Sequence, residues 1–403
     1  MAIYLDHAAT TPMTPAALAA YVEAVGVVGN PASIHSQGQN ARRMLEEARE
    51  IIAAGVGCDP IEVVFTGNGT EAINLAIKGL FWARPGDRIL VPGGEHHATI
   101  DTVEWLAAHE GARVQWLPLD EVGRVRLDAV EAALAEDAAS VALITMLWAN
   151  NEVGTIQPVA EVAALAARYG VPLHLDAVAA YGHVPIDFAQ LRRDSGSSGQ
   201  GGLLALSISA HKVGGPVGIG ALVLSRSARV EALIHGGGQQ RQVRSGTQDV
   251  AAAVSFAAAA RVADARLSQE AERIAALRDR LVDGLRAAVP DAQVNGDPDA
   301  GGRLPGTAHF AFPGAQGDSL LFLLDAAGVS VSTGSACQAG IPEPSHVLLA
   351  MGRDEVAARS ALRVTLGATS TEADVDAFLA ALPGAYRQAL NAGLSSRATS
   401  FDR

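Results

Sequence analysis

Between about residue 40 and residue 225, short apolar runs alternate with longer stretches whose apolar positions recur at helical spacing. The runs at 61–66, 88–91, 141–147, 171–176 and 203–209 read as strands, and 70–81 as a helix opened by the turn Gly67-Asn68-Gly69-Thr70. The runs are nearly continuous rather than alternating, as in strands buried on both faces of a parallel sheet. The pattern predicts an α/β architecture with a large, doubly wound, mostly parallel sheet. After residue 250 the rhythm changes. Residues 250–289 read as one helix with Arg, Glu and Asp interleaved among alanines and leucines, followed by short strands near 307–312, 329–332 and 361–366. This predicts a smaller α+β domain. The low-complexity stretch Asp194-Ser195-Gly196-Ser197-Ser198-Gly199-Gln200-Gly201-Gly202 reads as a flexible surface insertion, and the Ser- and Arg-rich tail, 391–403, as disordered.

Composition narrows the function classes. At 403 residues with 49% hydrophobic content, the chain has material for two cores. Its 30 basic against 43 acidic residues leave a net charge of −13, which disfavours an electrostatic nucleic-acid binder. Two cysteines cannot make a disulfide framework and suit a reducing compartment. The start carries no basic region followed by an apolar one, and no uncharged apolar run reaches membrane-spanning length, so a cytoplasmic protein is expected.

The candidate chemistry gathers at strand ends. Ser209-Ala210-His211-Lys212, followed by Gly214-Gly215-Pro216, sets one lysine just past a strand in a glycine-bounded turn. Such an amine becomes a nucleophile toward an aldehyde when burial or a nearby cation lowers its pKa. Taken alone, a His-Lys pair there also reads as a surface turn. Asp176 ends another strand, where a carboxylate can pair with a pyridinium nitrogen; it also reads as a helix cap, although Ala177-Val178-Ala179-Ala180 supplies no capping partner. The turn before 70–81 presents N–H groups and the Thr70 hydroxyl at a helix N-terminus, which suits a phosphate and equally suits Thr70 as a plain cap. Glu95-His96-His97 follows a further strand. An imidazole there can stack on a ring; adjacent histidines point apart, and no spaced partner completes a metal site. Asn150-Asn151-Glu152-Val153-Gly154 by itself is a turn. Cys337 lies among small residues in Gly334-Ser335-Ala336-Cys337, which suits an accessible thiol, whereas Cys58 reads as a packed structural residue.

Together these residues resemble a known family. Tyr4-Leu5-Asp6-His7-Ala8-Ala9-Thr10-Thr11, Asn30-Pro31-Ala32-Ser33-Ile34-His35 with Gly38, Phe65-Thr66 with Gly69-Thr70-Glu71, Glu95-His96, Asn150 to Gly154, Asp176, Ser209 with His211-Lys212, Arg244-Ser245-Gly246-Thr247, Gly334 to Cys337 and Leu362-Arg363 occur in the order found in the NifS/IscS-like cysteine desulfurases, a branch of the class V aminotransferase-fold enzymes. The similarity runs from the N-terminus to about residue 385.

The resemblance implies a type I fold binding pyridoxal 5'-phosphate (PLP), with a large domain over 16–250 and a small domain built from 1–15 and 251–390 that carries Cys337. It implies conversion of L-cysteine to L-alanine with sulfur left on Cys337 as a persulfide. Lys212 would carry the cofactor, Asp176 would hold its pyridinium proton, and His96 would stack on the ring and move protons. Asn151 would approach the ring oxygen and the substrate. The phosphate would rest on Gly69, Thr70, Ser209 and His211, with Thr247 reaching in from the other subunit of a homodimer. Arg363 would bind the substrate carboxylate. No resident metal is implied, though Cys337 could contact a transferred iron–sulfur cluster. A protein acceptor, such as an iron–sulfur scaffold or a thiolation enzyme, would take the sulfur; neither nucleic acid nor membrane is an expected partner. A selenocysteine lyase and a low-activity PLP-fold assembly partner share these motifs. The chain departs from the family at Ala179, where a glutamine is usual, at Asn68 and Ala72-Ile73 around the phosphate turn, and at 194–202.

Overall fold

The computed structural model describes residues 2–334 and 343–398. Its largest sheet has seven strands in the spatial order Val63–Thr66, Gly220–Leu224, Gly202–Ser209, Pro172–Asp176, Val141–Leu147, Arg88–Pro92 and Arg113–Leu117. All run parallel except Gly220–Leu224, which is antiparallel to both neighbours. Every residue of the six strands from Val63–Thr66 to Arg88–Pro92 is buried, and only the edge strand Arg113–Leu117 reaches solvent.

The two faces of the sheet are filled by different helices. Phe65, Leu90, Ile144, Leu173 and Leu206 pack against Leu45 and Ile52 of the helix Ser36–Val56 and Phe256 of the helix Val250–Ala288. On the other face, Ile89, Val91 and Leu143 meet Ile77 and Phe81 of Gly69–Trp82 and Leu106 of His97–Glu110. Successive residues of one strand therefore serve opposite cores, which is why the runs are continuously apolar.

A three-stranded antiparallel sheet, in the order Ala361–Thr365, Thr307–Ala311, Gln293–Asn295, and a two-stranded parallel pair of Ile3–Tyr4 with Val329–Ser330 form a second region. Its core joins Leu5, Phe310, Phe312, Leu324, Leu362 and Phe378 to Leu277, Leu281 and Leu285. The 39-residue helix Val250–Ala288 thus enters both cores: its alanine-rich first half lies on the large sheet and its leucine-bearing second half on the small one. Asp249 caps it, accepting from the Ala252 N–H at 2.9 Å. Among the described residues no helix is long and apolar enough to cross a membrane.

Several expectations are corrected. Residues 60–62 form a 3-10 turn, not the start of a strand, because Pro60 opens it and the Glu62 carboxylate accepts from the Asp59 N–H at 3.0 Å. The helix expected at 70–81 spans Gly69–Trp82, and its cap is Asn68, whose Oδ1 accepts from the Glu71 N–H at 2.7 Å, rather than Thr70. The stretch 194–202 is not a free insertion. Ser197 Oγ accepts from the Leu203 N–H at 2.9 Å, Gln200 Oε1 from the Arg229 N–H at 3.1 Å, and the Gln200 carbonyl from Arg84 Nη1 at 3.1 Å. Asp194 ends a helix, and Gly202 begins a buried strand. Serine and glutamine hydroxyl and amide groups here bond to backbone, which a compositional reading does not register. The last helix, Glu372–Ala398, runs into the segment expected to be disordered from 391, while 399–403 lie outside the described residues.

Candidate active site

The parallel strands bring their carboxyl ends to one edge of the sheet, delivering Ser209, Asp176 and Leu147 side by side, with the Gly69–Trp82 and His97–Glu110 helix starts beside them. Open α/β sheets hold ligands in this crevice. A cavity of about 250 Å³ lies there, and its walls include Gly69, Thr70, His96, Asn151, Asp176, Ser209, His211 and Lys212.

Lys212 ends a short 3-10 turn after the strand Gly202–Ser209. Its Nζ donates to the Ala8 carbonyl and, at 3.0 Å, to the Ala9 carbonyl. A neutral amine can make both donations and keeps its lone pair. Burial, aided by the Arg363 guanidinium, lowers its pKa to about 8. The N-terminal segment that supplies these carbonyls is tied down by Thr11 N–H to the His211 carbonyl at 3.1 Å and Thr14 N–H to the Gly214 carbonyl at 2.8 Å.

Asp176 is 2% exposed, and burial raises its pKa to about 6 against the opposing pull of the Val178 N–H and Lys212. Its Oδ1 accepts from that N–H at 2.9 Å, so the local cap-like bond that the alanine-rich sequence after it argued against does form. His96 caps the helix His97–Glu110: its Nδ1 accepts from the Ala98 N–H at 3.0 Å, which leaves the ring proton on Nε2. Burial and Lys212 lower its pKa to about 4, so the ring is neutral. His97 turns elsewhere, edge-on to His346 at 5.0 Å.

The anion cradle is built around Gly69. A Cβ there would stand 2.9 Å from Val178 Cγ2 and 3.2 Å from Ser209 Cβ, so only glycine brings the helix start this close. Ser209 Oγ is buried without a partner among the described residues. A helix N-terminus with an unpaired hydroxyl is a ready anion site. Arg244 instead binds Glu71 at 2.8 Å, and Thr247 is exposed and lines no part of the cavity of its own chain. His211 Nδ1 lies 3.2 Å from Thr10 Oγ1.

Asn150 and Asn151 divide their work. Asn150 is structural: its amide donates to the Gly94 carbonyl at 2.9 Å and its Oδ1 accepts from the Glu152 and Val153 N–H groups. Asn151 turns to the cavity with a buried Oδ1 that has no partner among the described residues. Its backbone carbonyl accepts from Arg363 Nη1 at 2.9 Å, while Arg363 Nη2 pairs with Asp6 at 2.8 Å. Arg363, 5% exposed, thus stands behind Asn151 and not in the cavity wall. A cavity of about 40 Å³ adjoins on the far side of Lys212, lined by His7, Ala179 and His183 among others.

Sequence reasoning singled out neither Asp6 as the partner of Arg363 nor the Ala8 and Ala9 carbonyls as acceptors for Lys212; their signal was the run 4–11, quoted as a motif without a role. Glu95 was likewise given none. It is fully buried, with Oε1 accepting from the Leu147 N–H at 3.0 Å, and burial raises its pKa well above the usual range. Cys337 lies outside the described residues. Cys58 is half-buried, and burial with the nearby Glu62, Asp59 and Asp187 carboxylates pushes its thiol pKa up, away from the reactive form.

A sequence model of the family Aminotransferase class-V matches residues 3–378. An IscS-like cysteine desulfurase of Mycobacterium tuberculosis is 50% identical over 402 residues, covering 98% of this chain and 99% of that protein. A solved NifS-like protein superposes with a TM-score of 0.85 at 33% identity, over 95% of this chain and 99% of that one. A structure described as SspA in complex with cysteine gives 0.74 at 30% identity, over 90% and 98%. With the lysine, aspartate and histidine converging on one crevice, these likenesses show that the chain belongs to the class-V aminotransferase family, in its cysteine desulfurase branch.

Proposed function

We propose that this cysteine desulfurase is PLP-dependent, takes L-cysteine to L-alanine, and leaves the sulfur on Cys337 as a persulfide. The observation that carries the reading is the single cavity into which the Lys212 amine, the Asp176 carboxylate and His96 converge beside the unpaired Ser209 hydroxyl. These residues fit the cofactor: the Gly69 cradle with Ser209 and Thr70 suits its phosphate, Asp176 its ring nitrogen, and the unpaired Asn151 Oδ1 a polar group on its ring or the substrate.

When bound, the cofactor supplies an aldehyde that holds the amino group and a ring that accepts the electron pair left at the substrate carbon. The chain supplies the rest. Lys212 Nζ, with its pKa near 8, is an amine able to attack that aldehyde close to neutral pH. Asp176, buried and anionic above about pH 6, would hold a proton on the ring nitrogen. His96, neutral with its proton on Nε2, would lie against the cofactor ring and offer a proton-transfer group there. Arg363, placed behind Asn151 with its guanidinium on Asp6, would receive a substrate carboxylate only by giving up that partner for it. In the sulfur step the substrate C–S bond breaks as the Cys337 thiolate forms an S–S bond, and a proton replaces sulfur on carbon; cysteine plus thiol thus balances alanine plus persulfide.

Thr247, exposed on its own protomer, suits the cofactor phosphate of a second subunit, so the working unit is a homodimer. We divide each protomer into a large unit, 16–250, and a small one, 1–15 with 251–390. The sulfur goes to a protein acceptor such as an iron–sulfur scaffold or thiolation enzyme, in a reducing cytoplasm that suits a free thiol. The test is a pair of variants. Cys337→Ala retains the cofactor and its spectral response to L-cysteine but releases no sulfide with a thiol reductant, while Cys58→Ala behaves as the parent. Sulfide release that survives the loss of Cys337, or disappears with Cys58, overturns the mechanism.

A further inference from the structure

One buried carboxylate joins the cavity wall to both sides of the segment 335–342. Glu152 follows Asn151 directly and is 1% exposed. Its backbone is fixed by the N–H bond to Asn150 Oδ1 at 2.9 Å, and Asn150 is anchored in turn to the Gly94 carbonyl. From there Glu152 Oε2 accepts a 2.6 Å hydrogen bond from Ser345 Oγ, a fully buried hydroxyl that also caps the helix His346–Ala350 through the Leu348 N–H. The same carboxylate lies against Gly334, where a Cβ would stand 3.2 Å from Oε2 and where φ is +87°. Gly334 therefore packs its backbone on the carboxylate because it has no side chain to interpose.

The neighbouring residue adds a second tie. His346 Nε2 donates to the Glu95 carbonyl at 2.8 Å, which places its Nδ1 toward Glu152 Oε1 at 4.0 Å. Glu95 precedes His96 of the cavity wall. The two residues nearest the cofactor pocket on these loops, Asn151 and His96, thus have as chain neighbours the two residues that grip Gly334 and Ser345–His346. Cys337 is carried between those grips, three positions after Gly334 and eight before Ser345.

We propose that Glu152 is a positioning residue for the sulfur-transfer step, setting where the chain enters and leaves the segment that bears Cys337 relative to the cavity. This rests on Cys337 being the sulfur acceptor. A buried carboxylate oxygen accepting a short O–H bond is a directional tie, and a nucleophile misplaced by about 1 Å loses on the order of a hundredfold in rate. Glutamine keeps the acceptor oxygen and the shape; alanine removes both.

The experiment uses the holoenzyme. Glu152→Ala should keep the parent's PLP content and its spectral change on adding L-cysteine, yet form persulfide on Cys337, followed by mass spectrometry in a single turnover, about a hundredfold more slowly. Glu152→Gln should restore the rate to within a few-fold of the parent. Ser345→Ala, which removes only the hydroxyl, should slow the same step, and it carries the test should Glu152→Ala not fold. Parental persulfide formation in both alanine variants, or loss of cofactor in parallel with the rate, overturns the proposal. Failure of the underlying reading is separate, since it appears as sulfide release by Cys337→Ala with Glu152 intact.

Discussion

The lowered pKa of Lys212 makes a quantitative prediction for cofactor capture. Burial first, and the Arg363 guanidinium second, bring the amine from 10.5 to about 8. At pH 7 the nucleophilic neutral fraction is then about 10%, against about 0.03% for an ordinary lysine. The perturbation is pH itself, applied to protein freed of cofactor, and the assay is the initial rate at which added PLP develops its lysine-bound absorbance. Between pH 7 and pH 9 the rate should rise about tenfold, and it should be nearly flat from pH 9 to pH 10, because the amine is already neutral. An unperturbed lysine would give about a hundredfold over the first interval and several-fold more over the second. Arg363→Leu should move the midpoint above 8, by less than burial does, since the guanidinium is the smaller cause. The same shift acts on stability. The unfolded chain holds this proton up to about pH 10.5 and the cofactor-free fold only to about pH 8, so the cost of burying the ammonium, about 3 kcal/mol, is fully present below pH 8 and is relieved as pH rises toward 10.5. A capture rate that keeps climbing tenfold per pH unit to pH 10 would refute the argument that the site prepares the amine.

Two further outcomes are expected, one for each of two loops. Gln200→Ala removes the bond to the Arg229 N–H and the amide donation to the Ser227 carbonyl, so stability should fall by about 2 kcal/mol and the melting temperature by a few degrees, with PLP content unchanged; an unaltered melting curve would restore the view of 194–202 as a free loop. Gln240, Arg241 and Gln242 hold φ of 45°, 60° and 63°, a left-handed turn that non-glycine residues adopt at a cost of about 1–2 kcal/mol each. Gln242→Gly, at an exposed position, should therefore raise stability by up to about 1 kcal/mol after glycine's extra chain entropy, read as a higher midpoint in urea; a lowered midpoint would show that the side chain holds the turn.

The amino-acid sequence by itself determined the α/β alternation, the four interior parallel strands together with the edge strand Val63–Thr66, and the residues at their carboxyl ends. Continuous apolar runs and the turns after them are local properties, so Lys212, Asp176 and His96 were legible as strand-end residues before any fold was known. The edge strand Arg113–Leu117 and the antiparallel Gly220–Leu224 were not singled out: the first is half-exposed, with Arg113 and Trp116 at the surface, and neither has a chemical residue at its end to draw attention to it.

Tertiary structure alone decided which side chains share a charge or a proton. Arg363 meets Asp6 across 357 residues, and Ser345 meets Glu152 across 193. No periodicity encodes such pairs, because they depend on which distant segments the fold brings side by side, as the bridge of Asp6 to Thr365 does for Arg363. The pKa shifts belong to the same class. Lys212 and Asp176 are ordinary groups in an unfolded chain and become an amine near 8 and a carboxyl near 6 through the desolvation that the packed crevice imposes. The loop 194–202 marks the boundary between the two kinds of knowledge: its composition correctly excluded an apolar core there, but its serine and glutamine groups bond to backbone that only the folded chain brings within reach.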